Sequence, residues 1–260
     1  MYPFIYFCDR PIGTYGICML LGVFLAGFFA LRKGKKHGLI IEDVLIIGAF
    51  ALGIGLFCGG LMYVFVTYSI SQILSFIRQG DFRFLTSGIV FYGGLIGGLI
   101  GGILGIRVAK CKFSVIERTV VPFIPFGHAI GRVCCVMSGC CHGFEYEGPF
   151  ALYYPNSVSG LSPHQGYFPV QPLESLINVG ICIMLLLYEK RMKRKGQLLF
   201  LYLGLYSIAR FFLEMLRGDA IRGVWNGLST SQYISIVLLC GSIIGIVWRR
   251  KAPPKTEITA

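Results

Sequence analysis

The sequence predicts an all-α polytopic membrane protein of about seven transmembrane helices, and three observations carry that expectation. The 260 residues are 55% hydrophobic and only 14% charged, with a mean hydropathy of +0.71; ordinary globular domains carry about 25% charged residues. The apolar residues gather into runs of the roughly 20 residues that a bilayer-crossing helix needs. The basic residues behind the net charge of +12 stand in short clusters between those runs. That is the pattern of loops held at an anionic membrane face, so membrane lipids are expected as partners and nucleic acid is not.

The spans follow in order, at roughly 12–31, 44–66, 87–106, 120–138, 172–188, 197–216 and 231–248. The first opens on YGICMLLG, with Tyr15 at the interface, and runs into Arg32, Lys33, Lys35 and Lys36. Its positive cluster follows the apolar run, which is not the order of a cleaved signal peptide. The third span contains FYGGLIGGLIGGILGI, in which glycines every fourth residue let helices approach closely in lipid. The fourth is interrupted by Pro122, Pro125, His128 and Arg132 and is preceded by Arg107, Lys110, Lys112 and Arg118. The fifth is entered through FPVQPLESL, which places Gln171 and Glu174 in a first helical turn. Lys190, Arg191, Lys193, Arg194 and Lys195 separate the fifth from the sixth, and Arg249, Arg250, Lys251 and Lys255 follow the seventh. Alternate loops are therefore basic, which puts the N-terminus outside and the C-terminus in the cytoplasm. We expect a single integral membrane domain over 1–250 with an irregular external cap at about 139–171, then a disordered cytoplasmic tail over 251–260.

Polar residues inside the apolar spans carry the functional information. An arginine at mid-bilayer costs roughly 2.5–3.5 kcal/mol on insertion scales, so it usually faces a partner or a wet cavity. In LYSIARFFLEMLRG, Tyr206, Arg210, Glu214 and Arg217 stand at i, i+4, i+8 and i+11, within one sector of a helix. Arg132 enters the fourth span near the same side. Three guanidiniums and a carboxylate around one cavity suit a phosphate, which a guanidinium fork binds bidentately. The ligand this predicts is an anionic lipid headgroup.

A second cluster, GRVCCVMSGCCHG, brings Cys134, Cys135, Cys140, Cys141 and His142 close to that arginine. The spacing does not match the paired ligands of a standard zinc site, and adjacent cysteines seldom both reach one ion, so no metal is expected. Structural thiols, a disulfide such as Cys135–Cys140, and a thiol taking part in chemistry remain open.

These segments together resemble the bacterial prolipoprotein diacylglyceryl transferase family over most of the chain. Tyr15-Gly16 opens the first span as in that family. YGGLIGG at 92–98 resembles its His-Gly-Gly-Leu segment, with Tyr92 at the histidine position followed by Gly93 and Gly94. In its Gly-Arg signature, Gly131, Arg132, Gly139 and Gly143 fit, while Cys135 stands at an asparagine and Cys140 at a glutamate. Gln171 and Glu174 match a Gln-Leu-Tyr-Glu segment, Tyr206, Arg210, Glu214 and Arg217 match its Tyr…Arg…Glu-x-x-Arg helix, and Gln232 lies in its last-span opening. The resemblance implies transfer of a diacylglyceryl group from phosphatidylglycerol to the thiol of a lipobox cysteine in a secreted precursor protein, or to another acceptor, with release of glycerol phosphate. It implies no cofactor. Arg132 and Arg210 would stabilise the leaving phosphate, with Tyr92 or His142 handling the proton. Tyr15, Gly93, Gly94, Gln171, Glu174, Tyr206, Glu214 and Arg217 would hold substrate, and Cys135 and Cys140 would line the pocket. The implied location is the bacterial plasma (inner) membrane, multi-pass, with the active site facing the outer leaflet. The cysteines leave a membrane thiol-redox protein built on Cys134–Cys141 as the alternative.

Overall fold

The computed structural model describes residues 3–7, 10–86, 88, 90–192, 196–218 and 224–251. Six of its helices are long and apolar enough to cross a membrane, and a seventh apolar helix is shorter. The chain forms two compact units, Met1–Lys33 with Glu117–Ala260, and Gly34–Ile116. Residues 252–260, expected as a tail, lie outside the described residues.

The first unit opens with an antiparallel hairpin of β1 (Phe4–Phe7) and β2 (Arg10–Gly13), which leads directly into α1 (Thr14–Gly34). The second unit begins within the last turn of α1 and contains α2 (Ile41–Thr67), α3 (Ile70–Gln79) and α4 (Phe91–Val108). Helix α2 starts where Asp43 turns back to the Ile40 amide, with Glu42 and Asp43 at the positive end of the helix dipole. The glycine repeat of α4 lies against α2. A Cβ at Gly93, Gly97 or Gly105 would stand 2.5, 2.6 and 2.7 Å from α2 atoms of Cys58, Cys58 and Ile47. These glycines are there to let two backbones touch. Helix α3 has no counterpart in the sequence expectation. Ser69 and Gln72 cap it reciprocally, and Ile70, Leu74 and Ile77 form an exposed apolar stripe along it.

The rest of the first unit starts near α5 (Phe113–Thr119), a 3₁₀ turn at Val121–Phe123, and α6 (Ile124–Ser138). The expected fourth span is thus a broken one, because Pro122 and Pro125 cannot donate into a continuous helix and instead occupy first-turn positions. After the loop over 139–169 come α7 (Val170–Glu189), α8 (Gln197–Met215) and α9 (Thr230–Lys251). Ser229 and Gln232 cap α9 through Ser229 N to Gln232 Oε1 at 2.9 Å. Helix α6 packs on α7, α7 on α8, and α8 on α9. Helix α1 joins through Gly22, which sits against the Gly127 carbonyl, and through Phe29, which packs on Phe123 and Phe126.

One end of this bundle holds a core of Val121, Ile181, Leu185, Met192 and Leu198. Beside it the fully buried Glu117 carboxylate accepts from the amides of Gly196, Leu198 and Leu199 at 2.6, 2.8 and 3.3 Å. A buried charge is tolerated there because the unpaired amides of the α8 N-terminus surround it. Glu189 also pairs with Lys33 and Arg118 at this end. The opposite end of the same helices carries the polar residues singled out from the sequence.

Candidate active site

The candidate residues converge where α6 ends, α7 begins and α8 ends. Arg132 of α6 meets Glu174 of α7 through Nη2–Oε1 at 2.8 Å, with the two side chains 12% and 2% exposed. These residues are 42 apart in sequence, so only the antiparallel return of α7 along α6 joins them. Ser175 Oγ donates to the Ala129 carbonyl at 2.9 Å and Asn178 donates to the Glu174 carbonyl at 2.8 Å, which fixes the α7 turn that presents the carboxylate. His128, one helical turn before Arg132, places Nε2 3.7 Å from the same Glu174 oxygen. Its ring stands 5.2 Å from that of Tyr206 on α8, and Arg132 also reaches the Tyr206 hydroxyl.

Arg210 lies on the same face of α8 as Tyr206. Its Nη2 pairs with Glu214 Oε2 at 2.5 Å and donates to Ser231 Oγ of α9 at 3.3 Å. Arg132 Nε and Arg210 Nη1 are buried with no hydrogen-bond partner among the described residues. A buried guanidinium nitrogen without an acceptor is costly, and a bound anion satisfies it. An apolar groove of about 320 Å³ runs between α7 and α8, lined by Ile177, Ile181, Met184, Leu205 and Ile208. It lies on the two helices that carry Glu174 and Arg210, farther from their polar ends.

Arg217 departs from the expected helix face, because α8 ends at Met215. It instead lies in a backbone pairing with Gly143, held by Phe144 N to Leu216 O at 3.2 Å and Gly218 N to His142 O at 3.2 Å. This pairing joins the end of the cysteine-rich signature to the end of the arginine helix. Gly143 is required for it: a Cβ there would collide with the Phe168 carbonyl and stand 3.1 Å from that of Leu216. The loop between α6 and α7 is more ordered than the expected irregular cap, with β3 (Leu152–Tyr153) paired to β4 (Gly166–Tyr167). The fully buried Tyr154 donates to Gln171 Oε1 at 3.1 Å, and Gln171 Nε2 donates to the Cys140 carbonyl at 3.0 Å. Burial pushes the Tyr154 phenol up to about 12, so it remains a donor.

The nine described cysteines are free thiols, not disulfides. Cys134 turns away, donating to the Ile130 carbonyl at 3.3 Å. The Sγ atoms of Cys135, Cys140 and Cys141 all lie within 4.8 Å of one another, with Arg132 Nη1 4.0 Å from Cys135. Tyr15, at the start of α1, interacts electrostatically with the same three residues and Cys134. Hydrogen bonds from Cys135 and Cys140, with the Arg217 charge, hold the Cys141 thiol below the usual thiol range. His142 Nδ1 lies 2.8 Å from the Gly143 carbonyl, and its ring packs on Tyr167. A carbonyl can only accept, so Nδ1 carries the proton and Nε2 is the basic nitrogen.

The structure therefore brings together Arg132, Glu174, Tyr206, Arg210 and Glu214, and links Gln171, Cys135, Cys140, Tyr15, His142 and Arg217 to them through the signature loop. Tyr92, Gly93 and Gly94 begin α4 in the other unit; the Tyr92 side chain lies outside the described residues. Sequence reasoning missed His128, which it took as an interruption of a span, and Ser231 and Tyr154. His128 had a signal: it stands at i−4 from Arg132, on the same helix face.

The family model described as prolipoprotein diacylglyceryl transferase matches residues 4–248. The chain belongs to the prolipoprotein diacylglyceryl transferase family. It is 34% identical over 238 residues to the phosphatidylglycerol–prolipoprotein diacylglyceryl transferase of Clostridioides difficile, covering 91% of this chain and 90% of that protein. It is also 34% identical to the enzyme of that name from Bacillus cytotoxicus, covering 93% and 89%. A second enzyme of that name from Clostridium perfringens is 32% identical, covering 90% and 89%. The matched region runs from β1 into α9 and includes α3.

Proposed function

We propose that this chain transfers the diacylglyceryl group of phosphatidylglycerol to the thiol of a cysteine in a prolipoprotein, releasing glycerol phosphate. The observation that carries the reading is the pair of buried guanidiniums, Arg132 and Arg210, each with a nitrogen lacking a protein acceptor. The thiolate sulfur forms a bond to the glycerol carbon while the carbon–oxygen bond to phosphate breaks, and the electron pair stays on the phosphate oxygen. Negative charge grows on that oxygen in the transition state, where fixed guanidinium donors in a water-poor site lower the barrier most. Glu174 and Glu214 orient the two guanidiniums. The groove between α7 and α8 takes an acyl chain, and His142 Nε2 accepts the thiol proton. The basic loops support a bacterial plasma membrane location with this site toward the outer leaflet.

The test is release of glycerol phosphate from phosphatidylglycerol in the presence of a lipobox peptide. Arg132→Lys and Arg210→Lys keep the charge but lose the fork. Losing one charge-assisted hydrogen bond of about 1.5–3 kcal/mol predicts a fall of roughly 10- to 150-fold in kcat/KM for each. Release unchanged by both substitutions rejects the arginine clamp.

A further inference from the structure

The acceptor thiol must become a thiolate, and the feature of this structure best suited to that task is the thiol cluster beside Arg132. We propose that Cys135, Cys140 and Cys141 form a three-thiolate site for a soft d¹⁰ cation, Zn²⁺ foremost, whose open fourth position takes the acceptor thiol. The inference rests on the transferase reading given above and names how that site activates its second substrate.

The loop geometry brings the adjacent Cys140 and Cys141 to within reach of a shared point with Cys135. Gly139 closes α6 at φ +67°, and Cys141 itself adopts φ +57°. Cys140 N returns to the Cys135 carbonyl at 3.1 Å, which folds the loop back over the helix end. A left-handed conformation in a residue with a Cβ is sparsely populated and costs roughly 1–3 kcal/mol, so the surrounding structure has to impose it. Its result is that the three sulfurs all lie within 4.8 Å of one another. Sulfurs bound about 2.3 Å from one tetrahedral ion stand about 3.8 Å apart, so closure needs a movement of no more than about 1 Å.

The surroundings also fit. Thiolates select soft ions such as Zn²⁺. Three thiolates on a divalent ion leave one excess negative charge. Arg132 stands 4.0 Å from the Cys135 sulfur and Arg217 interacts with Cys141, so two guanidiniums offset it. Three protein ligands with a vacant fourth position is the arrangement of catalytic zinc sites, and a thiol that coordinates such an ion is deprotonated outright. In the step, the acceptor S–H proton passes to His142 Nε2 as the sulfur binds the ion. The bound sulfur then forms its bond to the glycerol carbon, the carbon–oxygen bond breaks toward phosphate, and the thioether leaves the ion. No electron is gained or lost by the metal.

The experiment uses the full chain in detergent, with all thiols reduced and metal stripped, titrated with Zn²⁺ alone and with Co²⁺ as a spectroscopic replacement. We expect one ion per chain and a thiolate-to-cobalt charge-transfer band. Cys135→Ser, Cys140→Ser and Cys141→Ser should each weaken binding at least about tenfold, whereas Cys134→Ser should not. A lipobox peptide should change the cobalt spectrum, and the same peptide with serine at the acceptor position should not. Less than one ion per chain with reduced thiols, retention of the ion by the triple serine variant, or a spectrum indifferent to the peptide thiol overturns the proposal. Undiminished transfer by the metal-stripped chain also overturns it, and leaves the transferase reading standing. A normal cobalt response to the peptide, with no transfer by the zinc-loaded chain, sinks the transferase reading instead.

Discussion

Replacing Glu174 by glutamine isolates the contact on which the candidate site depends. Glu174→Gln keeps the shape of the side chain and removes its charge, leaving the Arg132 guanidinium 2.8 Å from a neutral amide and only 12% exposed. His128 Nε2, 3.7 Å from the same oxygen, loses the neighbouring carboxylate charge as well. Removing one member of a buried pair strands the other charge, at a cost of about 3–5 kcal/mol. At roughly 2–4 °C per kcal/mol for a chain of this size, the thermal midpoint in detergent should fall by about 6–20 °C. Arg132→Gln alone should fall in the same range. The double variant, which strands neither charge, should recover about 1–3 kcal/mol relative to the sum of the single changes. The assay is thermal unfolding of the four proteins side by side. A Glu174→Gln midpoint within 2 °C of the parent, or strict additivity in the double variant, would refute the buried-pair reasoning.

Further outcomes follow from the loop and the charge pattern. Gly143→Ala should unpair the 143–217 backbone contact, lowering both the thermal midpoint and glycerol phosphate release; Gly241→Ala on α9, whose Cβ meets nothing within 4 Å, should leave release within error and should not lower the midpoint. Tyr154 is held protonated by burial, with its phenol pushed up to about 12. Its contribution to stability is therefore complete below about pH 10 and is lost as pH rises through about 12. Tyr154→Phe should remove that alkaline loss and cost about 0.5–1.5 kcal/mol at neutral pH, read by thermal unfolding across a pH series. A reporter fused after Lys195 should behave as cytoplasmic, and a tag inserted at Ser159 should be labelled in intact cells; labelling only after permeabilisation contradicts the charge-derived orientation.

The spans were legible because each is an apolar run closed by its own local signals. Helix α7, expected at roughly 172–188, occupies Val170–Glu189, and α8, expected at roughly 197–216, occupies Gln197–Met215. The Arg210–Glu214 pair was legible for the same reason, since i,i+4 spacing is a property of one helix. What the sequence hid is non-local or conformational. Nothing in the spacing of Arg132 and Glu174 announces a contact 42 residues apart. The amphipathic α3 was hidden because its apolar stripe merges with the end of the preceding span. Arg217 obeyed helical periodicity on paper, yet the helix stops two residues before it and a strand-like pairing takes over. The clustering of Cys135, Cys140 and Cys141 depends on two left-handed residues, Gly139 and Cys141. A backbone dihedral of that kind at cysteine has no signature in composition or periodicity.

The mass of the acceptor peptide reports the transfer chemistry itself. The purified chain, phosphatidylglycerol and a lipobox peptide are incubated together, and the peptide is analysed intact and after alkaline hydroxylamine. The peptide should gain one diacylglyceryl unit carried on the cysteine sulfur as a thioether, with the glyceryl group retained after hydroxylamine and no gain on the peptide with serine in place of that cysteine. An unmodified peptide, or a modification that does not require the cysteine, would contradict the proposed transfer.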